Sequence, residues 1–128
     1  MASQLKVDTI TGVTTAGSIS VTGEGNSTTT NLQQSLVKVW AKFNGSSFGE
    51  LDSFNVSSFT DSGTGNYTVN INNDFSNANH ASAEGSGAYH TVNDAANAAG
   101  TLNLACYNSS HSNADESRVA VHSCGDLA

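Results

Sequence analysis

A chain of 128 residues with 11 acidic and 4 basic side chains, net charge −7, has room for one domain and a short arm. It lacks the clustered Lys and Arg that phosphate backbones and anionic bilayer surfaces require, and no apolar run nears the roughly 20 residues of a membrane-spanning helix. Nucleic-acid binding and membrane insertion are therefore not expected. Charged residues are only 12% of the chain and proline is absent, which is not the composition of a disordered segment. Clear period-two alternation amid Ser, Thr, Asn and Gly points to a folded, all-β protein with a thin core.

Residues 1–34 read as a docking arm or linker. The opening MASQLKVDTITGV has no basic stretch leading into a long apolar one, so no secretory signal is expected. Two short alternating runs supply Leu5, Val7, Ile10, Ile19 and Val21, too little apolar material for a domain of its own. Such a segment suits strand addition to another molecule, where backbone hydrogen bonds supply much of the binding. TNLQQSLVK begins with one predicted helical turn, capped by Thr30 or Asn31.

Residues 35–128 read as the head. In the first strand Val37, Val39, Ala41 and Phe43 share one face, and Lys38, Trp40 and Lys42 share the other. The single tryptophan between two lysines makes Trp40, Lys38 and Lys42 the candidate subunit interface, with a ligand-stacking Trp the less favoured use. A strand around Leu51 to Phe59 follows, with a phase break near Ser57-Ser58 that allows a bulge. TDSGTGN forms a hairpin connection, and YTVNIN puts Tyr67, Val69 and Ile71 on one face. One or two weak strands are expected within 73–93, then a turn at DAANAAG. TLNLACY and RVAVHSC close the chain and are expected to pair as antiparallel neighbours around NSSHSNADES. In that register Cys106 is a core residue, Cys124 points away, and no disulfide joins them. Two free thiols fit a protein made in a reducing cytoplasm. Strands at this spacing predict a small antiparallel β-sandwich, or a jelly-roll-like or barrel variant, with an extended N-terminal arm.

The ordered series KVWAKFNG, DSFNVSSFTDSGTGNYTVNIN and the closing HSCGD resembles a β-rich domain of bacteriophage virion proteins, found in tail fibres and appendages of marine phages, especially those infecting cyanobacteria. The matching positions are Trp40, Phe43, Asn44, Gly45, Ser53 to Ser58, Gly65, Tyr67 to Asn70, Gly125 and Asp126. LKVDTI, Leu5 to Ile10, is similar to the start of many short virion proteins of those phages. The resemblance implies a structural virion protein made in the host cytoplasm, probing host surfaces through a head that is a homotrimer, with other virion proteins as partners. Two departures shorten that picture: the family's proline-containing segment is replaced by DFSNANHA, and the shaft between arm and head is nearly absent. A short tail appendage or a capsid decoration protein fits better than a long fibre.

The residues give little support to catalysis, and no cofactor or metal is expected. His80, His90, His111 and His122 form no His-X-His, HExxH or comparable spacing, and no nucleophile elbow or phosphate loop is present. Glu50 and Asp52 would share a strand face, but acid–base work would require one of them desolvated. The candidate receptor loops are Glu84 to His90 and Asn108 to Ser117. Tyr89, His90, Tyr107, Asn108, His111 and Asn113 are the residues suited there to hydrogen-bond or stack on a host-surface glycan. A small glycan-binding or glycan-active protein is the remote alternative.

Overall fold

The computed structural model describes residues 4–14, 19–23, 25–86, 89–92 and 96–128, with backbone alone for Ser86 and 89–92. The chain divides into two units, Met1–Leu36 and Val37–Ala128.

In the first unit, residues 4–14 form neither strand nor helix. Strands β1 (Ser20–Thr22) and β2 (Thr29–Asn31) pair antiparallel with Val21 opposite Thr30. Helix α1 (Leu32–Ser35) is a single turn. Asn31 caps it, its side-chain oxygen accepting from the amides of Gln33 and Gln34 at 2.9 and 3.1 Å. An Asn at this position satisfies amides that a short helix otherwise leaves without partners.

The second unit is a sandwich of two four-stranded antiparallel sheets. The first has the order β4 (Gly49–Phe54), β3 (Val37–Asn44), β10 (Val119–Cys124), β7 (Ala81–Ser86). The second has the order β5 (Val56–Gly63), β6 (Asn66–Ile71), β9 (Thr101–Tyr107), β8 (Tyr89–Val92). Alternation places one set of side chains between the sheets: Val39, Ala41, Phe43, Val119 and Val121 from the first, Tyr67, Val69, Ile71, Leu102, Leu104 and Cys106 from the second. Phe75 joins them from the segment after β6. The Phe43 ring lies 5.1 Å from Phe59 and 5.2 Å from Tyr67, in tilted and edge-on geometry that favours aromatic pairs.

Three expectations are corrected. First, β9 and β10 are not neighbours: each is a central strand of a different sheet, β9 between β6 and β8, β10 between β3 and β7. Both contribute inward residues to the one core from different sheets, and the intervening loop crosses between sheets. Cys106 is buried and Cys124 partly so, both as free thiols. Second, the strand expected from Leu51 to Phe59 breaks at Asn55. This residue has φ 60°, and the chain switches sheets there. Asn tolerates the left-handed region better than most residues. Here its amide donates to the carbonyls of Lys38 and Asn73, while its side-chain oxygen accepts from the backbone and side chain of Asn73. Third, Glu50 and Asp52 do not share a face. A bulge between Lys42 and Phe43 puts Asp52 opposite Lys42 and Glu50 opposite Phe43, and those two β3 residues point to opposite sides.

Val37 also leaves the inward set. The register shift next to Cys124 breaks the alternation at that end of β3, and Val37 is exposed. The expected bulge near Ser57 is present as a shift between Val56 and Ser58 in the β5–β6 ladder.

Candidate functional site

The outer face of the second sheet is a polar ladder. Thr68 Oγ1 donates to Asn103 Oδ1 at 2.8 Å, and the Asn70 amide donates to Ser58 Oγ and Thr60 Oγ1 at 3.0 and 3.2 Å. Side chains that satisfy one another in this way offer a solvent face with few free donors.

The outer face of the first sheet differs. Strand register lines up Phe54, Trp40, His122 and Ala83 as one row across β4, β3, β10 and β7. The adjoining row is Asp52, Lys42, Ala120 and Gly85. Phe54 is 54% exposed, His122 and Lys42 are exposed, and Trp40 is half-buried. Tall side chains stand beside Ala120 and Gly85, which add almost nothing above the backbone. A depression of about 380 Å³ results, lined by Trp40, Ala41, Lys42, Glu84, Gly85, Ala120, Val121 and His122. Lys38, on the same face, is 8% exposed.

Glu84 of β7 also borders the depression, while its carboxylate is directed between the sheets. It is the cross-strand partner of inward-facing Val121, both its carboxylate oxygens are buried, and neither has a hydrogen-bond partner. Burial raises its pKa from 4.5 to about 7. The Cys106 thiol is pushed up to about 12, first by its own burial and then by the charge of Glu84 and of Glu116 and Asp115. A thiol held that high is a packing group and not a nucleophile.

Two further polar clusters hold the sandwich together. At one end, Asp115 Oδ1 accepts from Tyr67 Oη at 2.8 Å and from the Gly65 amide at 2.7 Å. Burial and the Asp115 carboxylate raise the Tyr67 pKa well above its ordinary value. Gly65 sits at φ 69°, and a Cβ there would lie 2.5 Å from the Cys106 carbonyl, so only glycine fits this turn. At the other end, buried His80 stacks on Phe75 with ring centroids 4.3 Å apart. Its Nε2 lies 3.3 Å from the Ala98 carbonyl, which assigns the proton to that nitrogen. Ser123 Oγ lies 3.1 Å from Nδ1 and 2.9 Å from the Ala81 carbonyl, its one proton serving either acceptor, and it accepts from Ser82 Oγ. Ser123 is 0% exposed, so this Ser–His contact is a buried strut closed to substrate. Sequence reasoning missed the strut because His80 and Ser123 are 43 positions apart and neither sits in a recognisable motif.

The other candidate residues are scattered. Tyr89 and His90 lie in strand β8 and not in a loop, opposite Tyr107 and Cys106. Tyr107 ends β9 half-buried and is bridged to Asn113. Asn108 is committed to its own turn: its side-chain oxygen accepts from the amides of Ser110 and Ser112, and its carbonyl accepts from the His111 amide. His111, with φ 58°, is exposed at the tip of that turn. Among the described residues no group of three or more His, Cys, Asp or Glu side chains is arranged to hold a metal ion. Arm residues Leu5, Val7, Ile10 and Val21 are exposed, Leu5 to 81% and Ile10 to 57%, and Ile19 is half-buried. Its carbonyl accepts from the Leu32 amide. Comparison of the chain with protein-family models, with curated proteins and with solved structures found no match.

Proposed function

We propose that this chain is a non-enzymatic structural protein of a bacteriophage virion, a short tail appendage that docks through its N-terminal arm and presents a β-sandwich head for host attachment. The observation that carries this reading is the arm. Leu5, Val7, Ile10 and Val21, from two short runs, are exposed apolar side chains in a segment with too little apolar material for a core of its own. Exposed apolar side chains on a short segment suit addition to a partner's sheet edge. The rigid head supports the same reading. Its polar side chains serve as turn locks, sheet ladders and end struts. The resemblance of KVWAKFNG, SFNVSS and GNYTVNIN to phage appendage domains points the same way.

The test is assembly. Particles are produced with the full chain or with a chain lacking residues 1–30, and both are purified. The full chain is expected in the particles and the truncated chain outside them, with an unchanged head. Equal incorporation of both would refute the arm's role, and absence of the full chain from particles would refute the virion role.

A further inference from the structure

We infer that strand β7 is a proton-gated flap: its second half, Glu84 to Ser86, lifts from β10 when the Glu84 carboxylate ionises, while its first half stays fastened.

Little besides backbone pairing holds the second half. β7 is an edge strand whose one ladder is with β10. It contributes no side chain to the apolar core, whereas edge strand β5 packs Val56 and Phe59 against it. On the outer side Ala83 is exposed, and a Cβ at Gly85 would meet nothing within 4 Å. The first half is tied differently. Ser82 Oγ donates to Ser123 Oγ at 2.9 Å, and the Ala81 carbonyl lies 2.9 Å from that same oxygen. Buried Ser123, itself in contact with His80, makes this the fixed end. A stretch with few apolar contacts opens locally at low cost.

Between the sheets the free half carries an acid where a core would take an apolar group. Both Glu84 oxygens are buried without a hydrogen-bond partner. From β10 its cross-strand neighbour is Val121, with Val119 two positions along, and neither can pair with a charge. From β9 the titratable neighbour is the Cys106 thiol, on which Glu116 and Asp115 also act. From β8, His90 holds the register position opposite Cys106. Arg118, just before β10, is exposed, and Lys42 and His122 stand on the outer side of the sheet. An ionised Glu84 is therefore hydrated only when the strand lifts.

The direction follows from linkage. Burial raises the pKa from 4.5 to about 7 in the closed strand, which binds the proton more tightly than the lifted one. Opening becomes easier as pH rises from about 4.5 and levels off above about 7. A shift of that size bounds the effect at about 300-fold, and solvent at an edge strand reduces it to about tenfold. Lifting Glu84 to Ser86 bares the paired edge of β10 from Val119 to Val121.

The test is amide hydrogen exchange of the full chain and of Glu84→Gln between about pH 4 and about pH 8, read by mass spectrometry of peptic fragments covering β7 and β9. At any one pH the chemical exchange rate is common to both proteins, so their ratio reports opening alone. For β7 the ratio of native to variant rate is expected to be about one near pH 4 and about ten at pH 8. Low urea should leave β7 exchange unchanged and speed that of β9, since lifting half a strand exposes little surface and unfolding exposes the whole core. A β7 ratio that stays at one at pH 8 would overturn the gate and move any remaining pH dependence to another group, such as His90. An equal urea response in β7 and β9 would overturn the flap, because the strand would then leave only with the whole head. The urea comparison needs only the native chain.

Discussion

Glu84→Gln should make the protein more stable at alkaline pH and leave it unchanged in acid. Glu84 sits on edge strand β7 and points between the sheets with both oxygens buried and unpartnered. Ionising it there costs free energy, and burial accordingly raises its pKa from 4.5 to about 7. The folded chain therefore holds the proton more tightly than the unfolded chain does. The unfolded chain binds fewer protons between about pH 4.5 and about pH 7, so stability falls with rising pH across that window. The protonated group's contribution is complete below about pH 4.5 and lost above about pH 7. Fully expressed, the shift is worth about 3 kcal/mol. Solvent reaching an edge strand screens it, leaving about 1–2 kcal/mol. Gln has nearly the shape of the protonated acid and cannot ionise. Urea unfolding of both proteins at several pH values is the assay. Their stabilities should coincide near pH 4.5 and diverge by about 1–2 kcal/mol above pH 8, with Gln higher. A difference that does not vary with pH would refute the buried-carboxylate account. An inward-pointing acid on an edge strand discourages strand addition by other chains, which offsets its cost.

Other outcomes follow from the same contacts. Asn55→Ala loses both a residue tolerant of φ 60° and four hydrogen bonds, and should destabilise by about 3 kcal/mol in denaturant titration. Asn55→Gly should recover about 1 kcal/mol of that loss, because only the backbone strain is relieved. Tyr67→Phe leaves Asp115 bonded to the Gly65 amide and should cost about 1–2 kcal/mol, measured as a lower urea midpoint. In the native protein a thiol reagent should modify Cys124 and spare Cys106 until the chain unfolds, because Cys106 is buried with its pKa near 12. Mass spectrometry of the labelled protein reads this directly, and rapid native labelling of Cys106 would contradict it.

Period-two alternation was enough to place the inward faces of β6, β9 and β10, and of β3 apart from Val37, because a buried strand face must be apolar and its neighbours need not be. It could not choose partners. TLNLACY and RVAVHSC carry equivalent inward sets, and the loop between them can either close a hairpin or cross the core. The sheet switch was hidden because Phe54 and Val56 look like one alternating strand, while the left-handed Asn55 between them turns the two to different sheets. Glu84 was also illegible: ASAEGS has no apolar alternation from which to read which side faces the core. The candidate groove was half legible. Trp40, Lys38 and Lys42 share a face by spacing alone. His122, Ala120 and Gly85 joined them only once β10 and β7 were known to lie beside β3. The loop candidates do not gather into one place: Asn108 is used by its own turn and Tyr89 belongs to a strand.

The most direct test of the appendage reading is the number of copies per purified particle, by quantitative mass spectrometry against the major capsid protein. A few to a few dozen copies is the predicted result and places the chain on the tail or another appendage. Hundreds of copies would contradict the tail assignment and make it a capsid decoration protein, and none would contradict the virion role altogether.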